Sequence, residues 1–497
     1  MKNNKFIIQF LIAGGLVIST FTACQKDYFD INQNPNSPAD ATVVDLLPSA
    51  EAAIAHVVGN NFQIFGGIWG QHWTQSPSSS QYKTIEQYSP AANDFDRPWK
   101  ALYADALEDL VTINSKVALQ PQNANYGACA KILEAYTFQL LTDNFGDVPF
   151  SEALQGNNGL LYPKYDSQRD IYIGIIKLLN DGLAMINDDP TAIVPGQEDL
   201  LKLTAGGDMS LWRKFGNTLK LRVFLRLSYV NPTMAQDSLA AMETNGDTYL
   251  GAGEEVKIDY LNSGGNTNPL FAEMSGLNKT QNLVGSATAL NFLNDNNDPR
   301  VDAFYSPAAN GSQVGIPQGA YTLPAGTLVS IPGSITGGNA STAASAASAV
   351  APVKLMTGYE SLFLQAEAAA RGWLSGNAQS LYEDGITENF VSYGFTSADA
   401  ATYFAQDSIL FPAGTPEQNI RAIITQKWIA MCGNQCDEAW IEWRRTGYPD
   451  FFSESVNSII GAGHYPERFF YPTSEVTRNN HFPGQKLIYE KVWWDVN

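Results

Sequence analysis

Apolar residues recur at intervals of three and four along most of this chain, the spacing that puts them on one face of an α-helix. Val43 to Val58 is the first such run. Phe95 to Val117 follows, through Trp99, Leu102, Tyr103, Ala106, Leu107 and Leu110. The same period runs through Tyr126–Leu141, Ile171–Ile186, Leu211–Tyr229, Met356–Trp373, Ala378–Val391 and Glu417–Ala430, and again from Cys436 to Trp443. The pattern predicts paired amphipathic helices joined by short turns. One pair alone cannot bury its apolar face, so the pairs must stack.

Tyr359 to Gly372 and then Ala378 to Asn389 look like one tetratricopeptide unit, with small residues Ala366, Ala369 and Ala370 allowing close helix approach. No strict 34-residue repeat runs through the chain. Two stretches break the helical period. Residues 76–94 are rich in Ser, Pro, Gln and Tyr, and residues 246–352 in Gly, Asn, Ser and Pro. Unstructured stretches of that length in a compact protein are functional or disordered; here they are read as loops laid over the helical scaffold.

The N-terminus changes the picture. Met-Lys-Asn-Asn-Lys is basic, the run from Phe6 to Ile18 is apolar except for Gln9, and small residues lead to Ala23-Cys24. That order is a secretory signal, and the apolar run is short of the ~20 residues a spanning helix needs. Ala23-Cys24 resembles the lipobox of bacterial lipoproteins, with Phe21 where an aliphatic residue is usual. The expectation is a signal peptide over 1–23, lipid attachment at Cys24, a tether over 24–40 and a single helical domain over 41–497 with irregular insertions near 76–94 and 246–352. Gln25-Lys26-Asp27 looks like an export signal for the outer face of the outer membrane. In the tether, Asp30, Asn32 and Asn34 imitate the start of a calcium loop, but Pro35 stands where that loop needs glycine. No metal and no cofactor is expected.

The formal net charge is −20, and loss of Lys2 and Lys5 with the signal makes it two units more negative. Such a charge argues against nucleic acid as a partner. The four histidines are scattered and the cysteine spacing fits no zinc site. Cys432 and Cys436 flank a turn, so they are either bridged or two buried thiols.

Asp143-Asn144-Phe145-Gly146-Asp147, Trp212 to Arg222, Asp298-Pro299-Arg300, Gln426-Lys427-Trp428 and Trp443-Arg444-Arg445-Thr446-Gly447 occur in that order, followed by Arg468-Phe469-Phe470-Tyr471-Pro472. Together they resemble the SusD/RagB family of surface lipoproteins, from Cys24 to the C-terminus. The resemblance implies a mostly α fold of about four tetratricopeptide-type helix pairs carrying a large irregular loop face. It implies an outer-membrane, lipid-anchored position facing the cell exterior, and a SusC-like TonB-dependent transporter as partner. The implied job is capture of glycans for uptake. Peptide cargo on the same fold is the alternative, and a surface hydrolase a third class.

A glycosidase needs two carboxylates about 5 to 9.5 Å apart across one bond. Asp437, Glu438 and Glu442 stand beside Arg444 and Arg445 on one predicted helix, the pattern of ion pairs between elements, and no enzyme activity is expected. Gly66-Gly67-Ile68-Trp69-Gly70 lacks the Lys-Ser/Thr of a phosphate loop. A sugar binder needs flat rings to stack on pyranose faces and amides to bond hydroxyls. Trp73, Gln81 and Tyr82, with Tyr305 and Tyr321 from the later loop, are the expected ligand contacts; Trp69 and Trp99 lie on helical stripes and are expected in the core.

Overall fold

The computed structural model describes residues 41–341 and 345–497, so the signal, the tether and Cys24 lie outside the described residues. Some of the helices begin at side-chain caps, such as Ser167, Thr357 and Thr415. α1 (Val43–Val57) passes through a π-helical turn, Val58–Phe62, into α2 (Gln63–Trp69). Strand β1 (Trp73–Gln75) and a single helical turn α3 (Lys83–Glu86) follow. Helical Asp96–Lys100 and a π-helical stretch Ala101–Leu107 lead into α4 (Glu108–Leu119). α5 (Ala124–Phe145) is buried on nearly every face and ends at Gly146, whose φ of 81° an L side chain rarely adopts.

α6 (Gln168–Met185) starts at Ser167, whose hydroxyl accepts from the Asp170 N–H. α7 (Ser210–Arg226) and α8 (Pro232–Thr244) complete the first half. Between them and the second half lie β2 (Glu255–Ile258), β3 (Leu283–Gly285), α9 (Ala287–Asp295), β4 (Tyr305–Ser306), β5 (Ile331–Pro332) and β6 (Val353–Thr357). The second half holds α10 (Gly358–Ala370), α11 (Ala378–Ser392), α12 (Ser397–Phe404), α13 (Pro416–Ala430) and α14 (Cys436–Thr446). α13 opens on a capping box, Thr415 with Gln418, and Pro416 at its first position.

The architecture is mostly α, as the periodicity predicts. α5 packs on α4 and α6, α7 on α6 and α8, α10 on α11, α7 and α13, and α14 on α13 and α2. No helix among the described residues is long and apolar enough to cross a membrane. Gly66 is where α2 crosses α14: a Cβ there would stand 2.3 Å from the backbone nitrogen of Asp437. The glycine run is thus a close helix crossing.

Several helices have no counterpart among the predicted ones, among them α8, α9, α12 and the helix Pro269–Gly276, and most of these are short and sit beside or within turn-rich sequence. Residues 76–94 and 246–352 are also more ordered than expected. Residues 76–94 form α3, and residues 246–352 supply β2 to β5 of three two-stranded antiparallel sheets: β1 with β3, β2 with β6 and β4 with β5. Such short strands give too little sequence to show a period of two.

The charged residues of α14 knit the scaffold. Arg226 of α7 reaches Asp143 of α5 at 3.2 Å, Glu438 at 2.6 Å and also Glu442, both of α14. Arg445 bridges Glu442 at 2.7 Å and Glu367 of α10 at 2.6 Å. Lys427 of α13 adds a third cation, 3.1 Å from Glu442. Burial alone would raise the Glu442 carboxyl, but Arg445, Lys427 and Arg226 hold it well below its ordinary range. Asp298 and Arg300 form a second buried pair, with the guanidinium 4.6 Å from the Phe390 ring centre. The marked motifs of the sequence therefore serve largely to hold helices together.

Candidate functional site

The two loops singled out by the sequence do meet. Trp73 pairs in register with Gly285, and the Tyr305 hydroxyl donates to the carbonyl of His72 at 2.7 Å. Gln318 donates to the carbonyls of Ile68 and Trp73 at 2.9 and 3.1 Å and to Glu86. Glu86 also accepts from the Thr74 hydroxyl at 2.6 Å and the Gln75 N–H at 2.8 Å. Burial raises its carboxyl to about 7 against the bonds that favour the charged form.

The rings, however, point inward. Trp73 and Tyr305 are fully buried, and Tyr82 and Tyr321 nearly so. Trp73 lies over Gly67, where a Cβ would meet its ring at 2.4 Å. The Tyr82 N–H is fixed by Gln75 at 2.6 Å, and Tyr321 accepts from Gln87 at 2.8 Å with Lys83 over its ring. These four were expected on an open loop face; packing loop on loop creates a local core that no helical stripe announces. Only Gln81 of the five keeps an exposed side chain. Trp69 and Trp99 are buried as expected. Cys432 and Cys436 are free, buried thiols: the Cys436 sulfur lies 3.3 Å from Nδ1 of His72, and the Cys432 sulfur 3.4 Å from the Tyr305 hydroxyl. The second ring nitrogen of His72 is 3.0 Å from the Trp428 carbonyl and donates to it, which leaves Nδ1 to accept.

An open aromatic feature lies next to this packed zone. Phe292 of α9 and Phe451, just beyond α14, stack nearly parallel, 17° between planes and 5.6 Å between centres. Phe451 is 41% exposed. Behind them Trp428 meets both rings edge-on, and His72 stacks on Trp428 at 5.2 Å. The Trp428 indole N–H is anchored on the Gly70 carbonyl at 2.7 Å. The exposed Phe451 and the half-buried Phe292 therefore stand on a buried support.

A hollow of about 410 Å³ opens on one side, lined by Thr288, Asn291 and Asp295 from successive turns of α9, with Pro317 and Ser453. A hollow of about 330 Å³ shares Phe292 and Phe451 and is lined by Asp407, Gln418, Arg421 and Gln426. Together they offer hydroxyls, amides and carboxylates around flat rings, the chemistry a sugar ring requires.

Gln71 sets this geometry. It is a buried non-glycine residue at φ 58°. Its amide oxygen accepts from the Thr288 hydroxyl at 2.7 Å and the Ser453 N–H at 3.1 Å, and its amide nitrogen donates to the Ser453 carbonyl at 2.7 Å. It thus ties α9 to the segment that carries Phe451. The sequence places Gln71 among the loop aromatics but gives no sign of this bridging role. Nor does it point to Phe292 and Phe451, because one lies on an unpredicted helix and the other beyond the last predicted one.

A family model described as SusD-like, "Starch-binding associating with outer membrane", matches residues 35–472. No curated protein matches significantly. Among solved structures, a chitin-binding protein is similar at 25% identity and a TM-score of 0.74, over 92% of this chain and 100% of that one. A chitin-binding SusD homologue of Flavobacterium johnsoniae shares 24% identity at a TM-score of 0.71, over 90% and 99% of the two chains. A SusD homologue of Bacteroides uniformis shares 22% identity at 0.75, over 92% and 100%. With the family pattern running through the helical scaffold, the chain belongs to the SusD-like family.

Proposed function

We propose that this protein is a surface lipoprotein that captures oligosaccharides in the cleft around Phe292 and Phe451. It then passes them to a SusC-like TonB-dependent transporter in the outer membrane. The observation that carries the reading is the parallel ring pair, Phe451 exposed and Phe292 half-buried, lining two polar hollows. Ring faces gain from contact with the C–H faces of a pyranose, and the flanking amides and carboxylates orient its hydroxyls. Attachment is through lipid on Cys24, after removal of residues 1–23. Tyr305 backs the site through the His72 carbonyl, while Trp73, Tyr82 and Tyr321 belong to the packed loop zone beside it. The protein binds and does not turn over its ligand.

Two of the structural relatives above bind chitin, so chito-oligosaccharides are the first ligand class to titrate, with malto-oligosaccharides and extended peptides beside them. Calorimetry should show saturable binding of an oligosaccharide, and Phe451→Ala should weaken it at least tenfold with an unchanged circular dichroism spectrum. Full affinity in Phe451→Ala would move the site elsewhere, and binding of peptides alone would replace the glycan reading. Cys24→Ser should leave the membrane fraction; persistence there would refute the anchor.

A further inference from the structure

The ring pair does more than floor a pocket. Phe292 and Phe451 line both hollows, so they stand as a partition between them. The two hollows are built from different parts of the chain. One is walled by α9 and Pro317, the other by α13 and the segment Asp407–Pro412. Their linings are bonded to each other: the Ser408 hydroxyl of one donates to Asn296 of the other at 2.6 Å, and the neighbouring Gln406 donates to the Asn296 carbonyl at 2.9 Å. The hollows are therefore held at a fixed separation, with a partly exposed ring between them.

We infer that the cleft is a two-subsite groove that takes a linear oligosaccharide lying across the Phe292–Phe451 ridge, one segment of the chain in each hollow. The inference rests on the glycan reading and adds the form of the ligand. Each hollow has its own polar set, Thr288, Asn291 and Asp295 in one, and Asp407, Gln418 and Arg421 in the other. Each also offers apolar surface to a sugar face: Pro317 in the first, and Leu410, 50% exposed, in the second. The cation of the second hollow, Arg421, is paired with Asp450 at 2.9 Å. Its charge is thus already balanced, which favours an uncharged chain over an acidic one.

Two weak subsites joined by one rigid ligand act as linked sites. Occupying the first raises the effective concentration at the second, and affinity rises steeply once the chain is long enough to span both. A ligand confined to one hollow gains nothing from further units.

The test is a length series, one to six units, of β-1,4-linked N-acetylglucosamine and of α-1,4-linked glucose, titrated into the whole protein. The expected result is a step of at least tenfold in affinity between two adjacent lengths, followed by a plateau. Asn291→Ala in one hollow and Arg421→Ala in the other should each lower the long-chain affinity at least fivefold and bring the ratio of long- to short-chain affinity towards one. Both residues are exposed, and unchanged melting temperatures would confirm that the variants are folded. Equal affinity for disaccharide and hexasaccharide, or a long-chain affinity indifferent to one of the two variants, would overturn the two-subsite groove while leaving glycan binding intact. Absence of binding at every length in both series would refute the groove together with the glycan reading.

Discussion

Gln71→Ala is the sharpest perturbation of the site that leaves its surface residues in place. Gln71 makes three close hydrogen bonds to Thr288 and Ser453, each worth about 0.5–1.5 kcal/mol net, and a longer one from the Ser453 hydroxyl at 3.5 Å. Their loss should free the segment carrying Phe451 by about 2–3 kcal/mol, since Ser453 is itself exposed and its freed groups can bond to water. That corresponds to a rise of about 30- to 150-fold in local opening, at ~1.4 kcal/mol per tenfold. The readout is amide exchange at Ser453, whose N–H bonds to Gln71, alongside oligosaccharide affinity. Gln71→Gly separates backbone from side chain. It loses the same bonds but relieves the left-handed conformation at φ 58°, which costs a non-glycine residue about 1–2 kcal/mol. Gln71→Gly should therefore be more stable globally than Gln71→Ala, with the same fast exchange at Ser453 and the same weakened binding. Wild-type exchange at Ser453 in both variants would refute the assignment of Gln71 as the residue that positions the ridge.

Trp73→Ala should cost about 3–5 kcal/mol of stability, seen as a lowered denaturation midpoint, because the ring is fully buried; a stable variant with selectively lost binding would contradict that. Gly66→Ala should fail to accumulate or should melt far below wild type, since the Cβ meets backbone of α14 at 2.3 Å, and normal melting would mean the crossing can open. Glu86 is raised to about 7 in the fold by burial, so the native state holds a proton that the unfolded chain gives up near pH 4.5. Its contribution is intact below that pH and is lost as pH rises through about 7, at ~1.4 kcal/mol for each pH unit between the two values. Glu86→Gln should flatten this fall in stability between pH 5 and 8, measured by urea melts, and an unchanged slope would exclude Glu86 as its source.

Helix was legible wherever the apolar stripe ran long enough to exceed chance, as in α5, α10 and α13. The ion pairs of α14 were legible too, because acids and arginines crowded onto one predicted helix have few other uses in a buried setting. The family pattern was legible because its motifs are short and local; some of their residues cross-link helices, Asp143 with Arg226 and Arg445 with Glu367. Which loop aromatics face water was not legible. Trp73, Tyr305 and Phe451 all stand in non-helical segments, and local pattern treats them alike. The fates of Trp73 and Tyr305 are set by partners more than 200 residues away: the Tyr305 hydroxyl bonds the His72 carbonyl, and Gln318 bonds the Trp73 carbonyl. Burial of a loop ring depends on a second loop arriving to cover it, and that is a property of the packed chain. Residue pattern thus specifies the helical scaffold, its internal charges and the family, since each is written in spacings of a few positions. Contacts between distant segments make Trp73 interior and leave Phe451, held by Gln71 in its left-handed conformation, as the open ring.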